Sequence, residues 1–298
     1  MLPLRVELPV GAIAVAIDVP SLSSGEVFEE IVVIPTSRRR VIPVGPTMSV
    51  RGDPIGLMRR ELQWAVAQEL FVHPRTSRLP GLTSGWLRDL EGTPTNDRSP
   101  NDVAFHTLRE YVPGDDRRHV HWRTSARQGR LMVRQFIDNR RSHLALVVDA
   151  NPASYADAEE FELAISMCAS LGLRAMADGH EASCIAAGSG MPSHTPTALL
   201  DGLARIDLGV PLLTIPQLGL RAAPMVRSAS VVAIVTGSAA SLAEVQTAGR
   251  RFGANVQLVC LRAMYGQAPS VQRTPSFTLL SSNSLEGLTR ALAAVGAS

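Results

Sequence analysis

Lysine is missing from all 298 residues. The 29 basic side chains are therefore all arginine, set against 27 carboxylates, for a formal charge of +2. Without lysine there is no Schiff base, no P-loop lysine and no lysine general base. The near balance of charge excludes a strongly basic nucleic-acid-binding domain and a polyacidic tail. Aromatics make up only 4% of the chain, too few for a base-stacking platform. Long apolar runs are absent as well. The longest, Val10–Ile17 and Ser230–Val235, fall far short of the ~18–20 residues of a membrane span. Met1-Leu-Pro-Leu-Arg-Val6 lacks the basic-then-apolar order of a signal peptide, so the chain as given reads as soluble. The three cysteines, Cys168, Cys184 and Cys260, form no C-x-x-C and sit in apolar runs. They read as buried small hydrophobes in a reducing compartment. No G-x-S-x-G, H-E-x-x-H or P-loop pattern occurs, so spacing alone assembles no nucleophile–base pair, and the chain reads as a non-enzyme.

Hydrophobic residues form 45% of the chain and charged residues 19%, the balance of a globular protein. The length suits two domains. Residues 1–78 contain short apolar runs, Gly11–Val19, Glu29–Ile34, Arg40–Val44 and Leu70–Val72, broken by Pro35, Pro43 and Pro74. Such punctuation predicts a small β-rich, sandwich-like domain. Residues 79–142 read as a linker, rich in Gly, Pro, Ser and Asn up to residue 102, followed by an arginine-rich segment. Residues 143–298 alternate between two periods. Leu144–Val148, Glu181–Ala187, Ser230–Val235, Val256–Leu261 and the weaker Phe277–Leu280 suit buried strands. Ala156–Ala177, Thr197–Ile206, Ser241–Phe252 and Ser284–Val295 suit helices. This predicts a mostly parallel, doubly wound α/β sheet.

The densest information lies between Leu108 and Phe136. From Arg98 to Arg141 there are 10 arginines against five carboxylates, Asp102, Glu110, Asp115, Asp116 and Asp138. One reading is an internal ion-pair network, with Arg123 and Arg127 turned back onto Asp115 or Asp116; the other is a partner surface. Apolar residues recur among the charges, Trp122 foremost. They predict a packed structural element with Trp122 buried, in which loss of Arg127 lowers stability before it lowers binding.

The same residues carry a family resemblance. Arg109-Glu-Tyr-Val-Pro-Gly-Asp-Asp116, His121-Trp-Arg-Thr-Ser-Ala-Arg127 and Leu131-Met-Val-Arg134 resemble the signature of the bacterial DUF58 family. Arg51-Gly-Asp-Pro-Ile-Gly-Leu57 and Glu69-Leu-Phe-Val-His-Pro-Arg75 resemble its upstream strands. Arg109, Glu110, Tyr111, Asp115, Asp116, His121, Trp122, Arg123 and Arg127 thereby become candidate interaction residues. The resemblance implies a von Willebrand factor A-like C-terminal domain and association with a MoxR-type AAA+ ATPase. It also implies N-terminal transmembrane helices, absent from this chain, that hold such proteins at the cytoplasmic face of a membrane.

It further implies where Mg²⁺ would sit in such a domain, on an Asp-x-Ser-x-Ser after the first strand, a loop Thr and a later Asp. Here Asp149-Ala-Asn-Pro-Ala153 keeps Asp149, puts Asn151 at the first serine and offers no oxygen at Ala153. Thr195 or Thr197 could supply the loop hydroxyl, and Thr236-Gly237-Ser238 brings no carboxylate. A single carboxylate among neutral oxygens predicts weak Mg²⁺ binding or none. His119 and His121 lack a third ligand at metal spacing, which argues against zinc. The function expected is a non-enzymatic adaptor for the ATPase, without nucleic acid and without a tightly held cofactor. The alternative is Mg²⁺-dependent ligand recognition around Asp149.

Overall fold

A computed structural model describes residues 4–52, 59–81, 103–112, 120–138, 143–210, 212–254 and 256–296. Two sheets dominate. In the N-terminal half, β1 (Leu4–Val10), β2 (Ile13–Val19), β3 (Arg40–Val44), β4 (Thr47–Gly52), β5 (Arg59–Ala65) and β6 (Gln68–Val72) join in the order β5-β4-β1-β3-β6, with β2 added on β1. All pairings are antiparallel. The described strands thus form one hydrogen-bonded sheet, where the punctuation suggests the two sheets of a sandwich. Gly11–Val19 is not a single run. Gly11, at φ +60°, turns the chain between β1 and β2, as glycine does at the first central position of a two-residue hairpin. Glu29–Ile34, a short apolar run that reads as a strand, joins no ladder among the described residues. The sheet's core is small: Val10, Ile42 and Val72, with Leu8, Val15, Ile34 and Val44 packed against them.

A separate ribbon pairs β7 (Val103–Glu110) with β8 (Met132–Asp138), and α1 (Trp122–Gln128) lies between them in sequence. The linker read at residues 79–102 falls almost wholly outside the described residues.

The C-terminal half is an α/β layer structure. β9 (His143–Val148), β10 (Glu181–Ala186), β11 (Ser189–Met191), β12 (Val231–Thr236), β13 (Gln257–Ala263), β14 (Ser270–Arg273) and β15 (Thr278–Ser282) order as β11-β10-β9-β12-β13-β15-β14. The five central strands are parallel, and the two short edges are antiparallel. Central strands are buried on both faces, which is why they read as continuous apolar runs. Alternate residues then face opposite helix layers. Leu144, Leu146, Val148, Ala233 and Val259 pack with α2 (Ala158–Ala177), α3 (Pro196–Ala204) and α6 (Leu285–Gly296). Ala145, Val147, Val232, Ile234 and Cys260 pack with α4 (Ile215–Ala222) and α5 (Leu242–Gly249). All three cysteines are buried and free, as expected. Burial pushes the Cys260 thiol up to about 12. A hydrogen bond with Cys184, reinforced by burial, pushes Cys168 well above its ordinary value. Neither thiol is a nucleophile at neutral pH. No helix among the described residues is long and apolar enough to cross a membrane.

The two halves touch along α2 and α3. Arg39 reaches Glu162 and the carbonyls of Leu203 and Ala204. Arg205 pairs with Glu69 and lies over the Phe71 ring. His73 hydrogen-bonds Asp201 at 2.7 Å. Past β6 the chain lies on the α/β half, with Ser77 N–H donating to Ser170 Oγ at 3.0 Å and Leu79 buried in the core under α2.

Candidate functional site

In an open α/β sheet the natural crevice lies beyond the carboxyl ends of the strands where the strand order reverses. Here that point falls between β9 and β12, since the chain passes from β9 outward to β10 and from β12 outward to β13. Asp149 directly follows β9, and Thr236 ends β12.

Asp149 is fully buried, and its carboxylate is satisfied from within. Thr236 Oγ1 donates to Oδ2 at 2.8 Å, and the Asn151 backbone N–H donates to Oδ1 at 2.9 Å. The Asp149 carbonyl accepts from the Tyr155 hydroxyl at 2.5 Å. Asn151 is equally committed. Its Oδ1 caps the 3-10 turn Pro152–Ser154 through Ala153 N–H, and its Nδ2 donates to the Leu213 carbonyl at 3.3 Å. Thr236 and Asn151 are therefore assembled with Asp149. Thr195 serves elsewhere, as the N-cap of α3, accepting from Ala198 N–H at 3.2 Å.

The composition of the loop gives no sign of Glu160, which is also buried. Glu160 Oε2 accepts from Ser238 Oγ at 2.8 Å, and Oε1 accepts from Ser238 N–H at 2.5 Å. From the other side Arg262 donates to the carbonyls of Gly237 and Ser238. The turn after β12 is thus clamped between a carboxylate on α2 and a guanidinium at the end of β13. The spacing Asp157-x-x-Glu160 reads as an ordinary capping box. Asp157 does cap α2, accepting from Glu160 N–H at 2.7 Å, while the Glu160 carboxylate turns to Ser238 instead. Ser154, Tyr155, Ser238 and Arg262 likewise carry no sequence signature.

These residues do not fit a Mg²⁺ ion. Both oxygens of the one central carboxylate already take donors from the protein, and Ala153 has no side-chain oxygen. Magnesium demands near-octahedral oxygen ligation, and a single, fully buried carboxylate among neutral oxygens is a poor set for it. The described residues also contain no cluster of three or more His, Cys, Asp or Glu side chains suited to a metal.

Burial raises the Asp149 pKa above its ordinary 3.8, while its hydrogen bonds pull the other way. The folded state therefore holds this proton more tightly than the unfolded chain. Asp149's contribution to stability is full below pH 3.8 and is lost as pH rises through the folded value. Asp149→Asn keeps the shape, with its oxygen accepting from Asn151 N–H and its amide facing Thr236 Oγ1. Urea denaturation across a pH series should show a stability that falls less with rising pH in the variant than in the wild type. Equal slopes would mean that Asp149 does not titrate differently on folding.

The arginine-rich segment forms a second site. Val120 and Val133 are buried and bridge backbone to backbone. His121 caps α1 through Nδ1, which accepts from Thr124 N–H at 3.2 Å. Ser125 Oγ donates to the His121 carbonyl and accepts from Met132 N–H at 2.8 Å. Gly129, at φ +68°, ends the helix. The segment is thus a built element, as its apolar content predicts, but Trp122 is not part of the frame. Trp122 is 65% exposed, and Arg123 and Arg127 are exposed too. This corrects the expectation of a buried tryptophan. The inward position on α1 belongs to Ser125, whose hydroxyl bridges two backbone groups that a tryptophan could not serve. Arg127 is correspondingly a surface residue, not a stabilising core charge. Asp115 and Asp116, its expected partners, lie outside the described residues. Glu110 is exposed, and Arg130 Nη1 approaches its Oε2 at 3.4 Å. Tyr111 is half-buried, and its N–H donates to the Leu131 carbonyl at 2.9 Å. Arg109 stands opposite Val133 in the β7–β8 ladder.

Comparison with known proteins points to this same stretch. A family model described as "Protein of unknown function DUF58" matches residues 107–203, from the end of β7 into α3. The chain is 28% identical over 122 residues to the uncharacterized protein YeaD of Bacillus subtilis (strain 168). The alignment covers 40% of this chain and 29% of that protein's length. No solved structure matches the chain.

Proposed function

We propose that this chain is a non-enzymatic interaction module whose α/β half is von Willebrand factor A-like, and that it works with a MoxR-type AAA+ ATPase. The strand order with an antiparallel short edge, and Asp149 placed after the first strand of the sheet, support the von Willebrand reading. The resemblance to DUF58 suggests the ATPase and a position at the cytoplasmic face of a membrane.

The observation that carries the binding role is the outer face of α1. Trp122, Arg123 and Arg127 of α1 are all exposed, as is Arg130 just past its end, and no carboxylate pairs with Arg123 or Arg127 among the described residues. Like charges four apart on a helix cost about 0.2–0.5 kcal/mol, so this face gains nothing for folding. Tryptophan and arginine are the residues most enriched at binding hot spots. Their partner would present carboxylates around an apolar socket. The burial of Asp149 and its internal hydrogen bonds support the binding reading over a hydrolytic one.

The test is direct binding of the purified ATPase to wild type, Trp122→Ala and the double variant Arg123→Ala/Arg127→Ala. Each variant should bind at least about tenfold more weakly, a hot-spot loss, with the melting temperature unchanged. Undetectable binding by the wild type, or variants that bind as it does, would remove the proposal.

A further inference from the structure

The open edge of the N-terminal sheet carries an inference that does not depend on the α1 reading. β2 pairs with β1 along all seven residues and with no other described strand. The hairpin fixes which of its backbone groups remain open. The pair Val10 with Ile13 closes a two-residue turn and is hydrogen-bonded, so bonding pairs and open pairs alternate from there. Pro9, which has no N–H, stands opposite Ala14, as an open pair requires. The N–H and C=O groups of Ala14, Ala16 and Asp18 therefore point away from β1, to the unpaired edge.

Natural edges of this kind are usually guarded by lysine, proline, bulges or covering loops. Residues 13–17 are Ile-Ala-Val-Ala-Ile, with no lysine, proline or bulge among them, and no described strand pairs with this edge. Facing the edge is a groove of about 410 Å³, lined by Val15, Ile17 and Asp18 on one side and by Glu30, Ile31 and Val33 on the other. The far wall is extended chain that joins no ladder. Ile31 and Val33, either side of the half-buried Val32, are 88% and 86% exposed, which is far from the usual fate of β-branched residues.

Charge defines the occupant. Residues 6–37 hold five carboxylates, Glu7, Asp18, Glu26, Glu29 and Glu30, and no basic residue, so that Arg5, opposite Asp18 in the β1–β2 ladder, leaves this stretch acidic on balance. A second copy of the chain would bring the same five acids against these. An extended segment with aliphatic and basic residues in alternation satisfies every feature. Its backbone completes the β2 ladder, its aliphatic side chains cover Val15 and Ile17, and its cations face Asp18 and the acidic rim. We infer that the β2 edge is a strand-addition site for an extended partner segment alternating aliphatic and basic residues.

The probe is a fluorescent peptide of about eight residues, alternating valine and arginine, long enough to span β2. Anisotropy with the full chain should show saturable binding that weakens with salt, and no binding by the valine–glutamate counterpart. Ala16→Pro removes the central open donor without touching the β1 ladder, so binding should fall about tenfold or more while the fold, followed by circular dichroism, persists. Asp18→Arg/Glu30→Arg provides a second variant that leaves the backbone intact and should also lose the peptide. Trp122→Ala should bind it normally, which separates this site from α1. Equal binding of the glutamate peptide would overturn the inference, as would indifference to both β2-edge variants. So would a dimer in sedimentation that Ala16→Pro abolishes, for then the occupant is a second copy.

Discussion

Arg39→Ala is expected to destabilise the protein by about 3–5 kcal/mol, the cost of removing one partner from a buried ion pair. Arg39 is 4% exposed and Glu162 is 32% exposed. The guanidinium makes a two-pronged contact, with Nε to Oε2 at 3.1 Å and Nη2 to Oε1 at 2.8 Å. Nη1 donates to the carbonyls of Leu203 and Ala204 at 2.7 and 3.1 Å. Those carbonyls end α3, where helix C-termini leave acceptors unpaired and favour a cation. Arg39 Cζ lies over the Phe161 ring, 5.6 Å from its centre, a cation–π distance. One side chain thus ties the N-terminal sheet to α2 and to α3 at once. Alanine leaves the Glu162 carboxylate and two carbonyls without it. Arg39→Lys should recover less than half of the loss, because an ammonium cannot reproduce the fork or the stacking. Its neighbour gives the control. Arg38 pairs with Glu159, but the two side chains are largely exposed, and such pairs are worth about 0–1 kcal/mol. Urea denaturation of Arg39→Ala beside Arg38→Ala reads the contrast. Similar small losses in both would show that the contact between the halves is loose, and limited proteolysis between β6 and β7 would then be as fast in wild type as in the variant.

Nothing in Arg38-Arg39-Arg40 as a sequence singles out the middle residue. That limit recurs wherever meaning depends on three-dimensional neighbours. The α/β half is legible because burial on both strand faces leaves continuous apolar runs, as in Leu144–Val148, and because α2 keeps a three-four spacing from Phe161 to Met176. The elements without a periodic signature escape. β11 and β14 are three and four residues long. α4 carries Pro216 in its first turn and Gly219 in its middle, which reads as a loop. Gly219 is there because a Cβ would lie 2.7 Å from that of Ala248, so α4 and α5 cross at that point. Composition places Trp122 in an apolar frame and cannot see that Ser125 takes the inward position. Glu29–Ile34 reads as a strand because it is a short apolar run, and Val32 and Ile34 do turn inward, yet pairing needs a neighbour that composition does not supply. At the candidate site, Asp149, Asn151 and Thr236 are legible from their places after strands. Glu160 is not, because a buried carboxylate one turn into a helix has the same spelling as a cap.

Gly237→Ala tests whether the crevice at Asp149 is closed, and it should cost about 3 kcal/mol or more, the upper range for overpacking a full core. Gly237 sits between Thr236 and Ser238, in the turn that Glu160 and Arg262 clamp. An added Cβ would lie 2.4 Å from Tyr155 Cδ1, 2.5 Å from Glu160 Oε1 and 2.5 Å from the Ser154 carbonyl oxygen. None of the three can withdraw easily. Tyr155 is held by its hydroxyl on the Asp149 carbonyl and by an edge-on contact with Phe161, ring centres 5.2 Å apart. Glu160 is held by both groups of Ser238. The Ser154 carbonyl accepts from Ala239 N–H at 3.1 Å. The strain would pass to the adjoining Thr236 and loosen its bond to Asp149, so the pH dependence assigned to Asp149 should change in the same variant. Gly253→Ala is the reference, because there the nearest atom to a new Cβ is Val256 Cγ2 at an ordinary 3.7 Å, and the change should stay within about 0.5 kcal/mol. If urea midpoints show Gly237→Ala to be as mild as Gly253→Ala, the turn after β12 yields readily. The end of β9 would then have room for a ligand that the packing described above denies it.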